Sequence, residues 1–126
     1  MPSEIKADAS VLVVDDNEDS VEGVAMLLES SGHPVVRAYS APQALDLLDQ
    51  DPSIRLVLSD VRMPQLDGFD FFRVVAHRYP KLPVVLMTGY PVNDGDDPPP
   101  HAAVLPKPFD AQLLHSITAR YLNAAA

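Results

Sequence analysis

The sequence predicts an α/β fold, a parallel sheet with helices on both faces. Two observations predict it. Short, near-continuous apolar runs recur at Val11–Val14, Leu56–Leu58, Val84–Met87 and Ala102–Leu105, the pattern of strands buried on both faces. Stripes at helical spacing stand between several of them, as in Val21, Val24, Ala25 and Leu28. Alternation of strand and helix implies parallel strands joined by crossover helices.

The elements follow in order. Met1 to Ser10 is polar and reads as a loose leader. The first strand is Val11–Val14, ending in Asp15-Asp16, and the first helix runs to a stop at Gly32. Val35–Ala38 is a short second strand. Ser40 and Gln43 have capping-box spacing ahead of the stripe Ala41, Ala44, Leu45, Leu48. Asp51-Pro52 breaks the chain before the third strand, which drives into Asp60. Phe72, Val75, Ala76 and Tyr79 form the face of a third helix, closed by Pro80. The fourth strand ends on Thr88-Gly89. Regularity then fails. Pro91, Gly95, Pro98, Pro99 and Pro100 fall in one segment with Asp94, Asp96 and Asp97, and proline disfavours helix. The fifth strand, Ala102–Leu105, leads to Pro106-Lys107-Pro108. Asp110 caps a last helix with Leu114, Ile117 and Tyr121 on its apolar face. Right-handed crossovers leave few topologies. At this size they favour a flavodoxin-like, doubly wound, five-stranded sheet of order 2-1-3-4-5, its fourth helix shortened or missing.

Bulk properties bound the function. The 126 residues make one domain, 1–126 with a core of about 10–122, and 47% are hydrophobic. No apolar run reaches the ~20 residues of a membrane span, and the start has no signal-peptide pattern. The absence of cysteine excludes disulfides and thiolate metal sites, and a cytoplasmic location is the default expectation. A net charge of −9 argues against direct nucleic-acid binding, which draws on Lys and Arg.

Chemistry gathers at the strand ends. Strands one, three, four and five end in Asp15-Asp16, Asp60, Thr88 and Lys107. In the expected topology these ends converge beside the switch point, where open α/β sheets hold ligands. Each feature alone has a plain structural reading: Asp60 as a turn cap, Thr88-Gly89 as a strand exit, Lys107-Pro108 as a surface loop. Four of them, each ending a different strand, point to a site. Crowded carboxylates repel one another, and a hard divalent cation such as Mg²⁺ relieves that with oxygen ligands. A metal, an ammonium and a hydroxyl together suit a phosphoryl group.

The motifs Val13-Val14-Asp15-Asp16, Ser59-Asp60-Val61-Arg62-Met63-Pro64 with Asp67-Gly68, Met87-Thr88-Gly89 and Lys107-Pro108-Phe109 resemble the receiver domain of two-component response regulators. The resemblance runs from about Ser10 to Tyr121. It implies that Asp60 accepts a phosphoryl group from a histidine kinase or a phosphotransfer protein and that the change switches binding of a downstream protein. It also implies that Asp15, Asp16, Asp60 and the backbone carbonyl of Arg62 hold Mg²⁺. Thr88 would bond the phosphoryl oxygens and Lys107 would pair with the phosphoryl or with Asp60. The Lys107-Pro108 peptide is similar to one that is usually cis in the family. Such a domain is a signalling receiver and not an enzyme, although it assists its own phosphoryl transfer and dephosphorylation.

Two departures concern output. The position that is usually Tyr or Phe, three residues before the lysine, is Val104. The usual fourth helix is replaced by the proline- and acid-rich segment, so residues 91–101 are expected to be irregular and to be the signalling variable, with Tyr90 relaying from Thr88. Other readings are weaker. A Mg²⁺-dependent aspartyl phosphatase of the haloacid-dehalogenase type would have an acid where Arg62 stands. A receiver-like scaffold that takes no phosphate would not need every site residue. Asn93–Asp97 lacks the downstream Glu of a calcium loop, and His33, His77, His101 and His115 show no i, i+4 pairing for a metal.

Arg62 and Tyr90 flank the path by which water would reach a phosphoryl on Asp60, and neither suits water orientation. Slow phosphate loss is therefore expected. Combining Arg62→Asn with Tyr90→Glu should speed it, measured as decay of the phosphorylated band; an unchanged or slower decay would rule out shielding.

Overall fold

The computed structural model describes residues 10–61, 68–88, 103–106 and 111–125. Strand β1 is Ser10–Val14, helix α1 Glu18–Ser30, β2 Val35–Ala38, α2 Ala41–Gln50 and β3 Ile54–Asp60. Helix α3 is Gly68–Arg78, β4 Val84–Thr88, β5 Ala103–Pro106 and α4 Ala111–Ala125. The strands form one five-stranded sheet in the order β2-β1-β3-β4-β5, with every pairing parallel. The expectations for residues 91–101, including an irregular path in place of a helix, lie outside the described residues.

Alternation along each strand divides the core in two. Leu12, Val14, Val57, Val84 and Leu86 pack toward α2 and α3, through Ala44, Leu48, Phe71 and Val75. Val11, Val13, Leu56, Leu58, Val85 and Met87 pack toward α1 and α4, through Val21, Val24, Leu28 and Leu114. Successive side chains of a strand point to opposite faces, so a run such as Val11–Val14 serves both layers at once. All five residues of β1 are buried, as expected of a strand covered on both sides. Phe71 is the largest fully buried side chain, and its truncation to Ala would cost about 3–5 kcal/mol.

The third helix keeps Phe72, Val75 and Tyr79 of its expected face against the core and departs from it at Ala76. Its buried positions are Phe71 and Val75, Phe72 is half-buried, and Ala76 is exposed. The helix also ends at Arg78, leaving Tyr79 beyond it, although the Tyr79 amide still bonds Val75 O at 2.7 Å. Phe71 buries a whole ring where Ala76 would bury one methyl group.

Helix ends are fixed by local chemistry. Asn17 caps α1 by accepting the Ser20 amide at 3.0 Å. At the other end Gly32 adopts φ 89, a conformation that costs an L side chain strain. The Gly32 amide reaches Glu29 O at 3.0 Å and the His33 amide reaches Leu28 O at 3.2 Å, the paired bonds of a Schellman stop. At α2, Ser40 Oγ accepts the Gln43 amide at 3.2 Å. The Gln43 side chain reaches back one residue further than the capping box requires, accepting the Tyr39 amide at 2.8 Å. Arg37 on β2 is clamped by two acids of α1, Glu22 at 2.7 Å and Glu29 at 3.0 Å.

Two histidines meet where α1 ends against α4. His115 Nε2 lies 2.8 Å from Ser31 Oγ and 3.0 Å from Leu27 O. Burial, and then the neighbouring His115, hold the His33 imidazole below its ordinary value of 6.5. The folded state therefore resists a proton that the unfolded chain accepts. The stability this group contributes is intact above about 6.5 and is lost as pH falls from there toward the lowered folded value. The melting temperature should drop between pH 7.5 and 5.5, and His33→Gln should flatten that drop; equal pH slopes in the two proteins would rule out His33 as the cause.

Candidate functional site

The register of β1 on β3 places the acids. Val14 pairs with Ser59, and the next residue in each strand is an aspartate, Asp15 or Asp60. Asp16 follows in the turn to α1. Carboxylate oxygens of Asp15, Asp16 and Asp60 lie within 4.8 Å of one another. Their environments differ. Asp15 is only 2% exposed, Asp60 is half-buried and Asp16 is exposed. The cluster is walled by sheet on one side and open to solvent on the other.

The backbone around the acids is held from several directions. The Asp15 amide donates to Ala38 O at 3.2 Å, and the Asp15 carboxylate accepts the Asn17 amide at 3.0 Å. Because Asn17 also caps α1, the carboxylate and the helix start are set by one turn. On the other strand, the Val61 amide donates to Met87 O at 3.1 Å, tying the chain beyond Asp60 to β4. Ser59 is fully buried, and its hydroxyl donates to the Asp60 carbonyl at 3.0 Å. Glu18 and Asp19 in the first turn of α1 add further negative charge nearby in the chain.

This donor set fits a small hard cation. Octahedral Mg²⁺ takes oxygen ligands at roughly 2.0–2.1 Å, so opposite ligands stand about 4 Å apart. Carboxylates already within 4.8 Å need only a small closure to meet that spacing. An open side leaves room for the waters or phosphate oxygens that Mg²⁺ keeps. No thiolate competes, since the chain has no cysteine.

The remaining expected site residues are placed in part. Thr88 is the last residue of β4 and aligns with Pro106 of β5. Asp60 aligns with Met87, directly before it, so the backbone of Thr88 lies at the acidic end of the sheet. Val104 of β5 pairs with Leu86 of β4, and its side chain lies outside the described residues. Lys107, Pro108, Arg62 and Tyr90 also lie outside them. Sequence reasoning passed over Asn17 and Ser59. The spacing Asp15-x-Asn17-x-x-Ser20 was the available signal for the first. Ser59 opens the motif around Asp60, and nothing in the sequence marks its hydroxyl as a partner of the Asp60 carbonyl.

Comparison with known proteins gives a consistent result. A family profile described as the response regulator receiver domain matches residues 11–119. The response regulator protein FleR of Pseudomonas aeruginosa is 38% identical over 116 residues, covering 90% of this chain and 24% of FleR. The response regulator receiver protein CpdR of Brucella abortus is 30% identical over 118 residues, covering 91% of this chain and 98% of CpdR. This chain therefore spans about a quarter of FleR and nearly all of CpdR. The crystal structure of the receiver domain of NtrX from Brucella abortus superposes with a TM-score of 0.80 at 32% identity, covering 90% of this chain and 98% of that one. These matches favour the receiver reading over the aspartyl-phosphatase reading.

If the three acids form the cation site, Asp15→Asn should weaken Mg²⁺ binding by about tenfold or more, a loss of roughly 1.4 kcal/mol, without unfolding the domain. Calorimetric titration with Mg²⁺ checks it; an unchanged affinity would exclude Asp15 as a ligand.

Proposed function

The chain belongs to the response regulator receiver domain family, and from that premise we propose that Asp60 accepts a phosphoryl group from the phosphohistidine of a histidine kinase or phosphotransfer protein. The observation that carries this reading is the convergence of Asp15, Asp16 and Asp60, with carboxylate oxygens within 4.8 Å at one end of the sheet. A lone strand-end acid has many structural uses. Three acids on two adjacent strands, one of them 2% exposed, constitute a charge arrangement that invites a cation and a phosphoryl group together.

In this reading an Asp60 carboxylate oxygen attacks phosphorus, an acyl phosphate forms, and the P–N bond to the donor imidazole breaks with its electron pair leaving on nitrogen. Asp15, Asp16, Asp60 and the Arg62 carbonyl would hold Mg²⁺, which supplies neutralisation of the phosphoryl oxygens when bound. Asp15 orients its carboxylate through the Asn17 amide. The Ser59 hydroxyl, bonded to the Asp60 carbonyl, and the Val61 amide, bonded to Met87 O, both fix the peptide that follows the nucleophile, so attack requires little rearrangement of β3. Thr88 would donate to a phosphoryl oxygen and Lys107 would pair with the phosphoryl charge. Phosphorylation would then bias the segment 91–101 toward the partner-binding state, with Tyr90 as the relay in place of an aromatic at Val104. The proposed chain acts by binding partners and not by turning over a substrate. With a net charge of −9 it is proposed to work through proteins and not through direct contact with nucleic acid. No helix among the described residues is long and apolar enough to cross a membrane, and a cytoplasmic setting suits the proposed kinase partner.

Incubation with acetyl phosphate and Mg²⁺ should give a slower band on a phosphate-affinity gel. Asp60→Asn should abolish that band, and chelation of Mg²⁺ should suppress it. Full labelling of the Asp60→Asn protein at another residue would overturn the assignment.

A further inference from the structure

A second concavity lies at the far end of the sheet from the carboxylates. It has a volume of about 870 Å³ and is framed by the end of α2, the start of β3 and the turn after α3. The strand from Ile54 to Asp60 separates the two sites by roughly 20 Å. The volume falls in the range of small-molecule sites, roughly 300–1,000 Å³.

The walls are amphipathic. Leu48 and Ile54, 7% and 6% exposed, supply apolar surface from the core. The two lining acids are already engaged. Asp49 accepts the Tyr79 hydroxyl and pairs with Arg78 at 3.5 Å. Asp51 accepts the Ser53 amide at 3.0 Å and the Ser53 hydroxyl at 2.6 Å. The two lining cations are not engaged. Arg55 and Lys81 are exposed, and neither forms an ion pair among the described residues. With Asp49 paired to Arg78, the cavity sets Arg55 and Lys81 against the single remaining charge of Asp51, a slight positive excess in a chain with 18 acids and 9 lysines and arginines.

We propose that this cavity binds a small amphipathic anion, with an aromatic or other apolar body against Leu48 and Ile54 and an anionic group between Arg55 and Lys81. Apolar contact supplies the burial, and the two cations select the charge and the orientation of the ligand. The cavity draws on none of the residues assigned to phosphoryl transfer, so occupancy does not depend on Asp60.

The probe is 8-anilinonaphthalene-1-sulfonate, an aromatic sulfonate, titrated into the whole folded chain and followed by amide chemical shifts and calorimetry. Saturable one-to-one binding is expected, with a dissociation constant on the order of tens of micromolar, and with shifts centred on 48–55 and 79–82. Arg55→Glu combined with Lys81→Glu should weaken binding by about tenfold or more while leaving the melting temperature and acetyl phosphate labelling unchanged. The uncharged analogue N-phenyl-1-naphthylamine should bind correspondingly more weakly, and Asp60→Asn should bind the sulfonate like the parent. Absence of saturation at millimolar probe, shifts centred elsewhere, or equal affinity in the charge-reversed protein would each overturn the proposal.

Discussion

The pairing of Val14 with Ser59 is the contact on which the site depends. It sets β1 against β3 without an intervening strand. Since each strand continues into an aspartate, the same pairing brings Asp15 and Asp60 side by side. Like charges so placed oppose the fold. The opposing force is the burial of β1 and β3 on both faces, through Val11, Leu12, Val13 and Val14 on one strand and Leu56, Val57 and Leu58 on the other. Hydrophobic association is indifferent to what stands at the end of the strand. The core can thus support a crowded group of carboxylates at the strand ends.

The two half-cores share that task unequally. Toward α2 and α3 the sheet is sealed by the ring of Phe71 together with small residues such as Ala41 and Ala44. Toward α1 and α4 it is sealed by aliphatic side chains, and α1 also carries the turn that orients Asp15. The Asn17 amide joins the buried carboxylate while the Asn17 side chain caps the helix. A disturbance of α1 would therefore be felt at the acidic cluster through one residue, whereas α2 supports the site only by packing.

Much of this was legible in the residues. Four-residue apolar runs marked β1 and β4, since a strand covered on both faces has no polar alternation to obscure it. The stripe of α1 fell on the positions that are buried, and Gly32 marked its end because only a positive φ closes that turn. Helix α3 was less legible. Phe69, Phe71 and Phe72 lie within four positions, so periodicity alone left the phase open; of the expected face Val75 is buried, Phe72 and Tyr79 are half-buried and Ala76 is exposed, with Phe71 buried beside them. At the site, Asp15, Asp16 and Asp60 were readable as strand-end acids, and their convergence followed from the expected strand order. Their support was less readable. The Ser59 hydroxyl bonded to the Asp60 carbonyl depends on local geometry that composition and spacing do not encode, and the Asn17 amide bonded to Asp15 left only the faint signal of the Asp15-x-Asn17-x-x-Ser20 spacing.

The clamp on Arg37 has a consequence for crowded solutions. Strand β2 lies at one edge of the sheet and is only four residues long. An exposed edge offers unpaired amides and carbonyls to any extended chain that meets it, the opening step of intermolecular strand addition. Here a newcomer would meet few such groups and, beside them, a guanidinium bound to two glutamates of α1. Aligning with that edge would require displacing the charged triad or leaving it partly dehydrated. A surface ion cluster of small thermodynamic weight would thereby hinder self-association along one side of a sheet built largely of valine and leucine.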